Sequence, residues 1–358
     1  MQLEARPREF FYQLESLRGV AALLVVSFHC AHYFPPFNDV MIFGKGYIMV
    51  DMFFVLSGFV IYHSYENSIN NAAELKRFIV LRLGRIYPLH FFTTIIWLFA
   101  PLIEYLTGDY GLNKSTFSFS NTIANFLLIH NWGFEHFGAI NAPSWSISTE
   151  FFAYLFFACF LIIFKKNFKV VLYFTALFCG AMVYTLHSDS QLLALSRCLF
   201  SFSLGSIIGI LYKRFTKREL MRFIPAPWVA LLILIVAMEV LFRLYSLKEY
   251  VLFPIISSLL ILSLLIYPKS IIVKGLQQPA LVKIGTLSYS IYMTHGIAIT
   301  FLVRLFHKLN IPIETLSGSL FLILCIFAFT YMLSVLTYKY IEKVFRDKIR
   351  NWISTSSK

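Results

Sequence analysis

Charge is scarce in this chain. Only 14% of the 358 residues are Asp, Glu, Lys or Arg, against roughly 25% in a soluble domain. Hydrophobic residues make up 58%, and mean hydropathy is +0.72. A water-soluble fold is thereby excluded. Membrane helices, which satisfy their own backbone polar groups, must set the architecture. Acids are scarcer than bases, 18 against 31, for a net charge of +13. In a soluble chain that excess would point to nucleic acid. Here the bases cluster in short loops between apolar runs, so membrane lipids and not nucleic acid are the expected partners. Cysteine is sparse: Cys30, Cys159, Cys179, Cys198 and Cys325 all fall in apolar segments. Their odd number and spacing match no metal motif, so they read as small apolar packers and no metal is expected. Repeats, low-complexity tracts and a soluble domain are lacking. So is a small-residue cleavage site after the first apolar run, which Arg18 and His29 interrupt; it does not read as a cleavable signal.

What is present is a series of ten apolar segments of bilayer-spanning length, at about 16–34, 46–64, 88–107, 147–164, 168–186, 193–212, 223–242, 250–267, 283–306 and 316–338. The expected fold is all-α, a polytopic membrane bundle of about ten helices. It forms one domain over 1–345 with a tail over 346–358. Orientation follows the Lys and Arg count on alternate sides. The N-terminal side takes 24 of the 31 bases, among them Arg6, Arg8, Lys76, Arg77, Lys213 to Arg222 and the tail up to Lys358. The other side takes Lys45, Lys114, Arg243, Lys248, Arg304 and Lys308, and Arg197 lies within a span near it. Both termini are therefore expected in the cytoplasm. The longest outward connection, 108–146, holds an amphipathic stretch from Phe117 to Trp132 and a turn at Asn141-Ala142-Pro143-Ser144.

Ionisable residues inside spans are costly and mark function by default. Arg18 and His29, eleven positions apart, share one face of the first helix and stand about 16 Å apart along it. That spacing suits a polar head held at the rim and a reactive end delivered deep. Counting residues from the predicted span ends puts His29, Asp51, Glu150 and His295 in the outer half of the membrane. A His29–Asp51 dyad is expected, the carboxylate fixing the imidazole's tautomer. Two readings stand for Glu150, a site carboxylate or a helix-end cap. His295, in Ser288-Tyr289-Ser290-Ile291-Tyr292-Met293-Thr294-His295, is expected to line a cavity. Glu239 and Arg243 read as a surface pair. Arg82 and Arg85, one turn apart, could join Arg18 as a receptor for a phosphorylated ligand, though by themselves they equally fit positive-inside charge.

Five ordered blocks carry a family resemblance. They are Arg18 with His29, Val50-Asp51-Met52-Phe53-Phe54-Val55-Leu56-Ser57-Gly58-Phe59-Val60-Ile61, Arg82-Leu83-Gly84-Arg85, Pro143-Ser144-Trp145-Ser146-Ile147-Ser148-Thr149-Glu150, and Ser288 to His295. The chain resembles the acyltransferase 3 family of membrane O-acyltransferases over nearly its whole length. The resemblance implies a ten-span enzyme of the bacterial inner (plasma) membrane. It implies acyl transfer, usually of acetyl, from cytoplasmic acyl-CoA (acetyl-CoA) to a hydroxyl of a surface or exported glycan or glycolipid, such as lipopolysaccharide O-antigen or an exopolysaccharide. It further implies catalysis by His29 and acyl-CoA binding by Arg18, Arg82 and Arg85. Some family members carry an added extracytoplasmic hydrolase-like domain; with about twenty residues after the last span, none is expected here.

The expected mechanism has His29, oriented by Asp51, deprotonate a sugar hydroxyl that attacks the thioester. Oxyanion or substrate contacts would come from Trp145, Ser146, Tyr292 and His295. Direct transfer is favoured over an acyl-His29 intermediate, and no permanently bound cofactor is expected. The rival class is a proton-coupled secondary transporter relaying protons through His29, Asp51, Glu150 and His295.

Overall fold

Each apolar segment becomes a helix in the computed structural model, which describes residues 10–31, 33, 40–107, 114–134, 137–186, 191–244 and 249–355. In order, these are α1 (Tyr12–Ala31), α2 (Met49–Tyr65), α3 (Ala72–Leu98), α4 (Trp145–Phe164), α5 (Phe168–Thr185), α6 (Gln191–Arg214), α7 (Pro227–Leu244), α8 (Glu249–Ile266), α9 (Ser288–Lys308) and α10 (Leu316–Thr337). No strand occurs among the described residues. Among the described residues, eight stretches are long and apolar enough to cross a membrane. One of them, Ala142–Thr185, holds both α4 and α5, while Pro227–Val240 in α7 is shorter. The molecule is a polytopic helical bundle, as composition requires. The cysteines are free, and Cys30, Cys179 and Cys198 are buried.

Local chemistry sets the helix ends. The Asn71 side chain accepts from Glu74 N, and Glu74 reaches back to Asn70 N, so orphan amides at the start of α3 are satisfied. Thr315 caps α10 through Gly318 N. The helix Lys343–Thr355 docks on α3, with Ile349 against Gly84. The predicted tail is thus packed on the bundle over its described part.

Two close approaches fix the helix register. On α2, a Cβ at Gly58 would meet Phe202 O of α6 at 2.0 Å, and one at Gly205 of α6 would meet Val55 O at 1.9 Å. Backbones can touch this way only where small residues face each other. Likewise Gly19 of α1 sits on Gly285, where a Cβ would lie 2.7 Å from Gly285 N.

The outward connection is not a simple cover. Its amphipathic part is the helix Phe119–Phe126, with Phe119, Ile123 and Leu127 exposed along one stripe. After Leu128, held at φ 59°, the chain turns inward. Leu128, His130, Asn141 and Ser144 are all fully buried. Buried irregular backbone must find partners, and side-chain amides and a serine provide them. Asn125 Nδ2 donates to Gly138 O (2.9 Å), and Ile140 N donates to Asn125 Oδ1 (3.1 Å). Ser148 Oγ donates to Leu128 O (2.7 Å), and Asn141 Nδ2 donates to Met293 O of α9 (3.0 Å). The segment is thereby pinned to α4 and α9, and α4 begins deep in the bundle. Of the other sequence readings, Arg6, Arg8, Lys248, Lys358, residues 108–113 and the Arg243 side chain lie outside the described residues.

Candidate active site

The infolded connection decides which polar residues meet. α1 contacts the short helix Pro279–Thr286 at Gly19–Gly285 and, ten residues on, α9 at His29 and His295, whose ring centroids lie 5.0 Å apart. The two histidines therefore reach one level about 15 Å beyond the glycines. Tyr292, seven residues past Gly285, lies about 10 Å along the same path. Its hydroxyl bonds Ser146 Oγ (2.9 Å) and donates to Pro143 O (3.0 Å). Because α4 starts at that depth and runs back inward, Glu150 descends about 6 Å further, toward the arginines.

One cavity of about 90 Å³ follows from this arrangement. It is lined by Arg18, by Arg82 and Arg85 of α3, by Ser146, Glu150 and Tyr154 of α4, and by Tyr289 and Tyr292 of α9. Arg82 donates from Nη2 to the Tyr65 hydroxyl (2.7 Å) and stacks on the Tyr65 and Phe78 rings, while its Nε–H is buried without a partner. Arg18 lies 3.9 Å from Glu15 and interacts electrostatically with Arg85 and Glu150. Glu15 and Glu342 act on Arg85 in turn. These carboxylates offset the repulsion between the Arg18 and Arg85 guanidinium groups.

Glu150 therefore belongs with the arginines and not with the outer histidines, contrary to the depth expected from sequence. That expectation assumed a helix starting at the outer rim. Glu150 accepts from the Tyr154 hydroxyl (2.6 Å), which also meets Ser57 Oγ (3.1 Å).

Asp51 also departs from expectation. It is not paired with His29. Both its oxygens take the Arg197 fork of α6, Oδ2 from Nη2 at 2.7 Å and Oδ1 from Nε at 3.3 Å. Asp51 is 0% exposed and Arg197 8%. The Arg197 guanidinium lies 3.8 Å from the Tyr250 ring centroid and 5.4 Å from that of Trp145. Trp145 thus packs on this ion pair, and it is not among the cavity-lining residues. A second buried cluster, Lys45 bonded to Glu249 (2.5 Å) with Tyr47 on the same carboxylate, neighbours it through Tyr47 and Tyr250.

His29 is exposed, with Phe28 and His295 as its ring neighbours. His295 is 1% exposed, and its Nδ1–H donates to Tyr292 O at 2.6 Å. A carbonyl only accepts, so this bond puts the proton on Nδ1 and leaves the Nε2 lone pair available in the neutral ring. The ring of Tyr292, which lines the arginine cavity, lies 5.9 Å from that of His295, so the histidine pair neighbours the cavity without lining it. Among the described residues no three His, Cys, Asp or Glu side chains converge as metal ligands.

Sequence reasoning missed Arg197 as a site element, along with Lys45 with Glu249, the stacked His90–His130 pair and the asparagines of the infolded segment. The signal for Arg197 was available: a lone Arg inside an apolar run requires an acid, and Asp51 is the span acid lying toward the same outer side.

A family model described as an acyltransferase domain matches residues 11–339. The chain is 25% identical over 378 residues to "Putative O-acetyltransferase SAR0937" of Staphylococcus aureus (strain MRSA252), covering 96% of this chain and 59% of that protein. It is 25% identical over 404 residues to "Putative peptidoglycan O-acetyltransferase YrhL" of Bacillus subtilis (strain 168), covering 96% of this chain and 58% of that protein. "Protein 2 in picA locus" of Rhizobium radiobacter is 38% identical over 85 residues, which is 24% of this chain and 42% of that protein. The chain thus spans under three fifths of the length of the first two relatives. No solved structure matches it.

The ion pair generates a prediction. Removing one partner from a buried pair costs about 3–5 kcal/mol, whereas replacing both by apolar residues is often tolerated. Arg197→Ala and Asp51→Ala should each sharply lower the unfolding temperature in detergent, and Asp51→Leu with Arg197→Met should recover much of the loss. An unfolding temperature unchanged in Arg197→Ala would show that the pair does not hold the bundle.

Proposed function

The chain belongs to this acyltransferase family, and from that premise we propose that it moves an acetyl group from cytoplasmic acetyl-CoA to a hydroxyl of a cell-surface or exported glycan, across the inner membrane of a bacterium. The observation that carries this reading is one cavity joining three arginines to the Ser146–Tyr292 pair, which abuts His295 and His29. Arg18, Arg82 and Arg85 hold the phosphates of the donor's nucleotide head. The unpartnered Arg82 Nε–H supports that assignment, since a buried guanidinium donor calls for an acceptor oxygen. The thioester arm runs along α1 toward His29.

His29 acts as general base. It takes the proton of the sugar hydroxyl as that oxygen attacks the thioester carbon, the C–S bond breaks, and the proton passes to the departing thiolate. The products are an acetyl ester and CoA. His295, fixed in its tautomer by the Tyr292 carbonyl, orients His29, the role first expected of Asp51. The Ser146 and Tyr292 hydroxyls are the nearest candidates to stabilise the oxyanion. Two family relatives named as O-acetyltransferases, one of them for peptidoglycan, support a glycan acceptor. Proton-coupled transport is the weaker reading, because Asp51 is committed to Arg197 and Glu150 lies among the arginines, which breaks the relay it would need.

His29→Ala should insert normally and lower acetyl transfer about 10²–10⁴-fold, the usual contribution of a general base. Transfer from labelled acetyl-CoA at the wild-type rate would remove His29 from the chemistry.

Arg82→Ala with Arg85→Ala should raise the KM for acetyl-CoA strongly. Lysine at both positions should rescue it only in part, because an ammonium cannot present a fork. An unchanged KM in the double alanine variant would reduce these arginines to topological charge.

A further inference from the structure

Several buried polar atoms remain unused by this mechanism, and they gather on one face of α3. His90, Thr94 and Trp97 follow at helical spacing. His90 Nδ1, the Thr94 hydroxyl and the Trp97 indole N–H are all buried without a partner. The infolded connection supplies one more such atom, Asn141 Oδ1. His90 and His130 stack on each other with centroids 5.7 Å apart, each bonded through Nε2 to backbone carbonyl oxygen. These rings wall the inner end of the group.

Trp97 and Asn141 meet at Gly296. A Cβ placed on Gly296 would find the Trp97 ring at 3.7 Å and Asn141 Oδ1 at 3.9 Å, with nothing nearer. Asn141 is 0% exposed, and its Nδ2 is tied to Met293 O, which holds Oδ1 in its orientation. The result is an N–H without an acceptor and a carbonyl oxygen without a donor, on two side chains that both border the space left by a residue with no side chain. They do not bond to each other. A hydroxyl satisfies both at once, accepting from Trp97 and donating to Asn141, with the Thr94 hydroxyl one turn away on α3 for a second contact. Gly296 follows His295 directly, whose ring stands 5.0 Å from His29.

We infer that Trp97, Asn141 and Gly296, with Thr94, form a binding subsite for a hydroxyl group of the acceptor sugar, beside the reacting histidine pair. The inference rests on the acyltransfer reading above. It makes these residues determinants of acceptor binding and not of donor binding. Gly296 is required because any side chain there occupies the hydroxyl's place. Alanine fits sterically, since contacts at 3.7 and 3.9 Å are ordinary van der Waals separations, so its effect is on the ligand and not on the fold.

The test uses the full chain in lipid nanodiscs, labelled acetyl-CoA, and graded amounts of a soluble envelope-glycan extract from the source cells. Trp97→Phe should raise the KM for the glycan about 2–10-fold, the value of one neutral hydrogen bond. Gly296→Ala should raise it about 10-fold or more. In both variants the KM for acetyl-CoA should stay at the wild-type value, and Gly275→Ala, where a Cβ meets nothing within 4 Å, should change neither. If both variants keep the wild-type KM for the glycan, the orphan groups bind structural water only and the subsite is wrong, while acyl transfer stands. If Gly296→Ala does not insert, Trp97→Phe alone decides. If the wild type transfers no acetyl to the extract, the acyltransfer reading fails, and the subsite with it.

Discussion

The bundle is organised around a charge pair that cannot be left half made. Asp51 and Arg197 are buried between α2 and α6, with Trp145 of α4 and Tyr250 of α8 against the guanidinium. Four helices thus share one desolvated contact, and any shift that parts the pair exposes a bare charge to an apolar interior. Backbone contacts at Gly58 and Gly205 bring α2 and α6 close enough for the fork to reach both carboxylate oxygens. Lys45, Tyr47 and Glu249 add a second polar cluster alongside. Because Asp51 and Glu249 are neutralised by fixed partners, neither is free to serve His29.

That constraint shifts the burden of orienting the histidines onto backbone and phenol. Tyr292 serves three purposes: its carbonyl fixes the His295 tautomer, its hydroxyl joins Ser146 at the start of α4, and its ring lines the arginine cavity. It can do so only because the segment from Leu128 to Ser144 folds into the bundle and starts α4 at mid-depth. Asparagines satisfy that segment's backbone, which is how irregular chain survives away from water.

Much of this was legible in the residues. Apolar run length gave the helices, since a bilayer leaves the chain few alternatives, and the helical spacing of Arg18 and His29 placed both on one stripe. Local spacing puts Arg82 and Arg85 one turn apart, but their meeting with Arg18 of another helix comes from the packing of the bundle. Pairing is not legible either. Depth along a span matches Asp51 with His29, but depth does not say which neighbour a helix face meets. Residue counting sets Glu150 too far out for a related reason: an infolded connection looks in sequence like any long loop. The orphan group at Trp97, Asn141 and Gly296 has no linear signature, since it depends on three separate segments meeting where a side chain is missing.

The central claim is that one continuous polar route links an inner donor site to an outer acceptor site. It is tested most directly in sealed proteoliposomes with labelled acetyl-CoA outside and soluble glycan trapped within. The account predicts acetylated glycan in the lumen and free CoA thiol only in the outer compartment, made by molecules whose arginines face outward. Acetylation that occurs only when donor and glycan share one compartment would contradict transmembrane delivery and return the chemistry to a single face.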